Sequence, residues 1–204
     1  MSTTIEIEDI IDYILIHDLE FPGKHQFKYR NSLLRLNKQM MVAIWDELFF
    51  QIKQHMKENN KCTSIHIRNF GTFCYLPYNE ISTDTYTNFT NTMSSFKSLN
   101  VEQPTFILDE TYRYILKHFP QTDKILSLHT GYLPKKMLHL EWNSFPIAKK
   151  LNISQLCVTD TIKCIFDVIY KLVKEGFNVV LKGSFVYICF IKGELKVMFD
   201  NESL

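Results

Sequence analysis

An α+β fold built from two copies of one helix-and-strand unit is what this sequence predicts, on three observations. The stretch from Asn37 to Asn60 carries Met41, Ile44, Trp45, Leu48, Phe49, Ile52 and Met56, the three- and four-residue spacing of one apolar helical face. A strand-like run follows, "CTSIHIRNFGTFCYLPY", in which a glycine stands between two phenylalanines. The same order returns near the C-terminus as "VTDTIKCIFDVIYKLVKEGFNVVLKGSFVYICFIKGELKVMF".

Taken in order, residues 1–36 form an N-terminal extension with a first short helix, and 37–125 a first domain. Asn37 caps its long helix, and Asn59 and Asn60 end it. Ile65 and Ile67 alternate with polar neighbours, as do Phe73 and Tyr75 beyond Gly71, so the run reads as one half-buried strand interrupted by a glycine bulge. Residues 78–103 are rich in Ser, Thr and Asn and read as a polar excursion. A strand over Thr105–Leu108, a cap at Asp109 and a helix halted by Pro120 complete the domain.

The second domain spans 132–204. "FPIAKKL" predicts a short helix, and Thr159 or Asp160 a cap for the long helix that Gly176 stops. Its strand carries Gly183 and turns at Lys192 and Gly193 into "ELKVMF". Trp45 and Asp46 match Phe166 and Asp167 at a spacing of 121 residues (45 to 166), and the glycines match at 112 (71 to 183). Gly71 and Gly183 are therefore expected at equivalent bulges, and Trp45, Phe73, Phe166 and Phe185 at core positions.

Composition narrows function. The formal net charge is +1, which argues against a dedicated polyanion binder. Residues 1–131 hold 13 Lys/Arg against 15 Asp/Glu and residues 132–204 hold 10 against 7, so neither half is strongly basic. Five scattered cysteines lack the spacing of a disulfide scaffold or a zinc site. The N-terminus has no basic leader region and no apolar run reaches membrane-spanning length, so an intracellular chain without a membrane segment is expected.

The strand with "NFGTF" after an amphipathic helix resembles the HU/IHF superfamily, with Asn69 in place of the first glycine of that family's motif. A closer resemblance is to the tandem HU-like domains of the coiled-coil domain-containing protein 81 family, through "IWDELF", "FGTF", "QPTFILDETY" and "GELKVMFDNESL". The resemblance implies two HU-like domains packed as an intramolecular pseudo-dimer. It implies a structural adaptor of cilia, basal bodies or centrosomes that binds tubulin or other axonemal proteins. An HU-like architectural DNA-binding protein is the alternative. The arm with which HU wraps DNA is basic and carries a wedging proline, whereas 78–103 holds Lys97 against Glu80, Asp84 and Glu102, so nucleic acid is not the expected partner.

No catalytic residue, cofactor or metal is expected. Cys62 and His66 come nearest to a nucleophile and base, but at a strand entry they read as a turn cysteine and an exposed histidine. The basic pairs Lys135–Lys136 and Lys149–Lys150 are the candidates for contact with an acidic partner.

Overall fold

A computed structural model describes residues 4–16, 36–58, 63–77, 102–116 and 138–200. The order of elements is β1 (Thr4–Glu6), α1 (Ile7–Ile16), α2 (Lys38–Glu58), β2 (Thr63–Ile67), β3 (Gly71–Pro77), β4 (Glu102–Leu108), α3 (Glu110–Leu116), β5 (Leu138–Glu141), α4 (Phe145–Leu151), α5 (Gln155–Lys174), β6 (Asn178–Lys182), β7 (Val186–Ile191) and β8 (Glu194–Phe199). The protein is α+β. Most of the excursion at 78–103, the stop at Pro120, and Cys62, Lys135 and Lys136 lie outside the described residues.

Caps account for the helix bounds. Asn37 Oδ1 accepts from the Met40 amide at 2.8 Å, which sets the start of α2. The cap expected at Thr159 or Asp160 is corrected: Ser154 caps α5, its hydroxyl accepting from the Cys157 amide at 3.1 Å. Both later residues lie inside the helix, where Thr159 Oγ1 donates back to the Gln155 carbonyl. At the other end Gly176 takes a φ of 84°, and the amides of Gly176 and Phe177 donate to the carbonyls of Val173 and Leu172. That pairing closes the exposed carbonyls of the last turn.

The expected single strands are corrected too. Each glycine-bearing run is a hairpin, because the chain reverses where the sequence suggested a bulge. Arg68 to Phe70 turn β2 into β3, with Asn69 at a φ of 62°. Residues 183–185 likewise turn β6 into β7.

By compactness, the described residues of Met1–Gln54 and Trp142–Leu204 form one unit and those of His55–Glu141 a second. The sheet of the first unit runs β1-β6-β7-β8 and that of the second β4-β3-β2-β5. Each is an antiparallel three-stranded meander with one short parallel strand added, at Ile5↔Val179 in the first and Ile65↔Leu140 in the second. The added strands are exchanged along the chain. β1 leads into α1 and α2 yet completes the sheet of β6–β8, while β5 leads into α4 and α5 yet completes that of β2–β4.

In the first unit, Val179, Leu181, Ile188, Phe190 and Leu195 share the inner face of the sheet and are buried. Ile10, Ile11 and Ile14 of α1 are buried as well, and Lys171 of α5 donates to the Tyr13 hydroxyl of α1 at 3.1 Å. In the second unit the core is aromatic: Phe106 packs at a tilt against Phe73 and Phe70 with centroids 4.7 and 5.1 Å away, and Tyr112 of α3 meets Phe70 edge-on.

One clasp recurs in both. The Asp109 amide donates to the Phe70 carbonyl at 3.0 Å, and the Asp200 amide to the Phe185 carbonyl at 2.8 Å. Registers agree with it, since Gly71 faces Leu108 and Val186 faces Phe199. The two meanders therefore correspond at a spacing of 115 residues (70 to 185), which also brings Cys74 onto Cys189.

Candidate functional site

Neither expected bulge is one. Gly71 is the first residue of β3 and pairs with Ile67 and Leu108 in unbroken ladders, while Gly183 lies in the β6–β7 turn, where its amide donates to the Val186 carbonyl at 2.8 Å. In register Gly71 corresponds to Val186, so the two glycines are not equivalent. Close approach explains both residues, and neither has a positive φ. A Cβ on Gly71 would meet the Phe106 ring and stand 2.6 Å from the Ile107 carbonyl oxygen, and one on Gly183 would stand 2.6 Å from Phe49 Cγ. Each glycine is a seat for an aromatic ring.

Around Gly183 the four-ring cluster of the first unit assembles. The Trp45 indole N–H donates to the Lys182 carbonyl at 3.0 Å, so α2 is pinned to the turn just before the glycine. Trp45 also meets Phe49 at 4.8 Å and Phe166 edge-on at 6.1 Å, and Phe49 meets Phe185 at 6.4 Å. Trp45, Phe73, Phe166 and Phe185 are all buried. Trp45 and Phe166 are not the matched pair that the sequence suggested: aligned on their caps, Asn37 and Ser154, the long helices set Phe166 against Phe49, one helical turn away.

Of the second basic pair, Lys149 is exposed and Lys150 is committed. Its ammonium lies 2.5 Å from Glu47 Oε2 and 4.7 Å above the Phe50 ring. The Glu47 side chain is 10 % exposed and also accepts from Gln51, so a nearly buried carboxylate holds Lys150 in place.

Burial pushes the Cys74 thiol up to about 12, which keeps it protonated and unreactive at neutral pH. His66 Nδ1 lies 3.0 Å from the Thr72 hydroxyl and His139 Nδ1 lies 2.7 Å from the Ser64 hydroxyl. Among the described residues, no group of three or more His, Cys, Asp and Glu could hold a metal ion, and no helix is long and apolar enough to cross a membrane.

Sequence reasoning missed the outer face of β7 and β8. Tyr187 and Met198 are direct cross-strand partners there, 38 % and 56 % exposed. Lys182 lies over the Tyr187 ring at 5.8 Å, and Lys196 stands on the same face. The signal was available in the alternation of "ELKVMF", which puts Lys196 and Met198 on one side and Leu195 and Val197 on the other. No family model matches the chain, and no curated protein matches it either.

Proposed function

We propose that the chain is a non-enzymatic adaptor built on two HU-like domains that interlock as a pseudo-dimer, and that it binds tubulin or other axonemal proteins in cilia, basal bodies or centrosomes. The observation that carries this reading is the repeat itself. Among the described residues, two helices, a hairpin and a third strand occur twice in the same order, closed by the same Asp-to-Phe clasp, and each copy lends its leading strand to the other's sheet. That is the order of the HU resemblance, and an exchange of edges is what a pair of mutually dependent half-cores needs.

The adaptor role is supported by where polar groups are spent. Lys150 neutralises Glu47, Trp45 uses its one donor on Lys182, and the Cys74 thiol is shielded. These side chains stabilise a scaffold. The ciliary or centrosomal setting follows from the resemblance to the coiled-coil domain-containing protein 81 family.

The test is a pair of titrations, with duplex DNA and with microtubules, each at about 50 and about 200 mM salt. DNA affinity comes chiefly from Lys and Arg displacing counterions from phosphates. We expect only weak DNA association, and microtubule or axoneme binding that persists at the higher salt because its centre is apolar. Nanomolar DNA binding with a steep salt slope would establish the architectural DNA-binding alternative instead.

A further inference from the structure

Comparison of the two meanders shows where they have diverged. In register, Tyr187 and Met198 replace Thr72 and Ile107, and Lys196 replaces Thr105. Thr72 and Ile107 are 7 % and 8 % exposed, and Ile107 belongs to a buried cluster with Cys74 and Leu76. The same three positions in the β7–β8 copy are exposed and hold a tyrosine, a methionine and a lysine, and Lys182 of β6 lies beside Tyr187. β8 is also the last strand of its sheet, so among the described residues its outer backbone edge has no partner strand.

We propose that β8 is a docking edge for an extended acidic segment of a partner protein, which adds a strand beside Glu194–Phe199 and sets alternate side chains against Lys196 and Met198. This rests on the adaptor reading and names the place where the partner attaches. An added strand bonds through its backbone, and its side chains alternate between faces, so specificity comes from every second residue. Opposite Lys196 the fitting residue is Asp or Glu; two positions along, opposite Met198, it is aliphatic or aromatic. Tyr187 and Lys182, next across the same face, extend the apolar and the basic surface in turn.

Charge favours an acidic peptide. Glu194 lies 3.8 Å from Lys196 and is itself mostly covered, leaving Lys196 59 % exposed. Glu6 of β1 lies on the far side of the same face, beside Val180. Lysine on an edge strand is also a common guard against edge-to-edge aggregation. A guard has no use for the open Met198 and Tyr187 beside it, and a docking strip needs both. Two lysines and one tyrosine are too few for tight nucleic-acid binding, which draws on many phosphate contacts.

The experiment titrates the full chain with a fluorescein-labelled peptide of Glu-Thr-Val-Thr repeats, which sets Glu and Val in turn along one face and is long enough to pair with the six residues of β8. The same peptide with Lys in place of Glu, and a single-stranded DNA of equal charge, serve as the other probes. We expect saturable binding of the Glu peptide, weakened about tenfold by Lys196→Glu, a change of roughly 1.4 kcal/mol, and unchanged by Lys163→Glu, an exposed lysine of α5. The Lys peptide should bind Lys196→Glu better than the parent chain, a rescue that also shows the variant is folded. The proposal is overturned if the Glu peptide does not bind, if Lys196→Glu leaves its binding unchanged, or if the DNA binds more tightly than the peptide. Loss of peptide binding with microtubule binding intact would discard this edge alone; loss of both would discard the adaptor reading with it.

Discussion

Gly71 and Gly183 face different obstacles, and their substitutions should differ accordingly. A methyl on Gly71 runs into a backbone carbonyl that the β3–β4 ladder holds fixed, whereas on Gly183 its nearest obstacle is the Phe49 ring. Gly71→Ala should therefore cost about 1–3 kcal/mol, the range for overpacking a tight core. Gly183→Ala should cost less once Phe49→Leu makes room. Chemical denaturation of the two single variants and the double variant checks this, and a strictly additive double variant would contradict the seat. His55 provides a pH signature. Burial lowers its pKa below the ordinary 6.5, while nearby Glu58 pulls the other way. A base whose folded pKa is depressed takes up more protons unfolded, so stability should hold above about pH 6.5 and decline as pH falls through the window beneath it. His55→Gln should flatten that decline in melting curves recorded across the acid range.

At the scale of elements, a single capping residue decides how long α5 is. Ser154 starts the helix one turn before Thr159 and Asp160, and Ser154→Ala should cost about 1 kcal/mol, as lost caps do. Were the helix to begin at Thr159 or Asp160, the same substitution would be silent in thermal denaturation. The helices themselves were legible. Met41, Ile44, Trp45, Leu48, Phe49 and Ile52 declare the buried face of α2 by period alone, and "FPIAKKL" gave the bounds of α4. The hairpins were not, because a three-residue reversal at Arg68–Phe70 lacks the Asn-Gly or Asp-Gly signature that Lys192–Gly193 approximates. The glycines are no guide to the repeat either, since Gly71 corresponds to Val186 and not to Gly183. The fixed point is the Phe carbonyl that receives the Asp amide, a backbone interaction to which no residue type points.

For the whole molecule, the exchanged strands make a sharp expectation. Residues 132–204 expressed alone would lack β1, α1 and α2, and with them Ile5 beside Val179 and Trp45 beside Lys182. Residues 1–131 alone would lack β5 beside β2. Each half should be poorly folded by circular dichroism, and the two should co-purify when expressed together. Two halves that fold independently and ignore one another would contradict mutual dependence.

By itself the sequence determined the α+β class, the long helices, the repeat and the aromatic core positions, because each rests on local periodicity or on the burial preference of large apolar side chains. Only the tertiary structure decided that β1 and β5 exist, that they are traded between the copies, that Lys150 is tied to Glu47, and that the outer face of β7 and β8 is open. The physical reason is separation along the chain. β1 meets β6 some 174 residues later (4 to 178) and Glu47 meets Lys150 after 103 (47 to 150); a three-residue strand such as "TIE" has no hydrophobic pattern of its own and becomes a strand only when a distant edge supplies its hydrogen bonds.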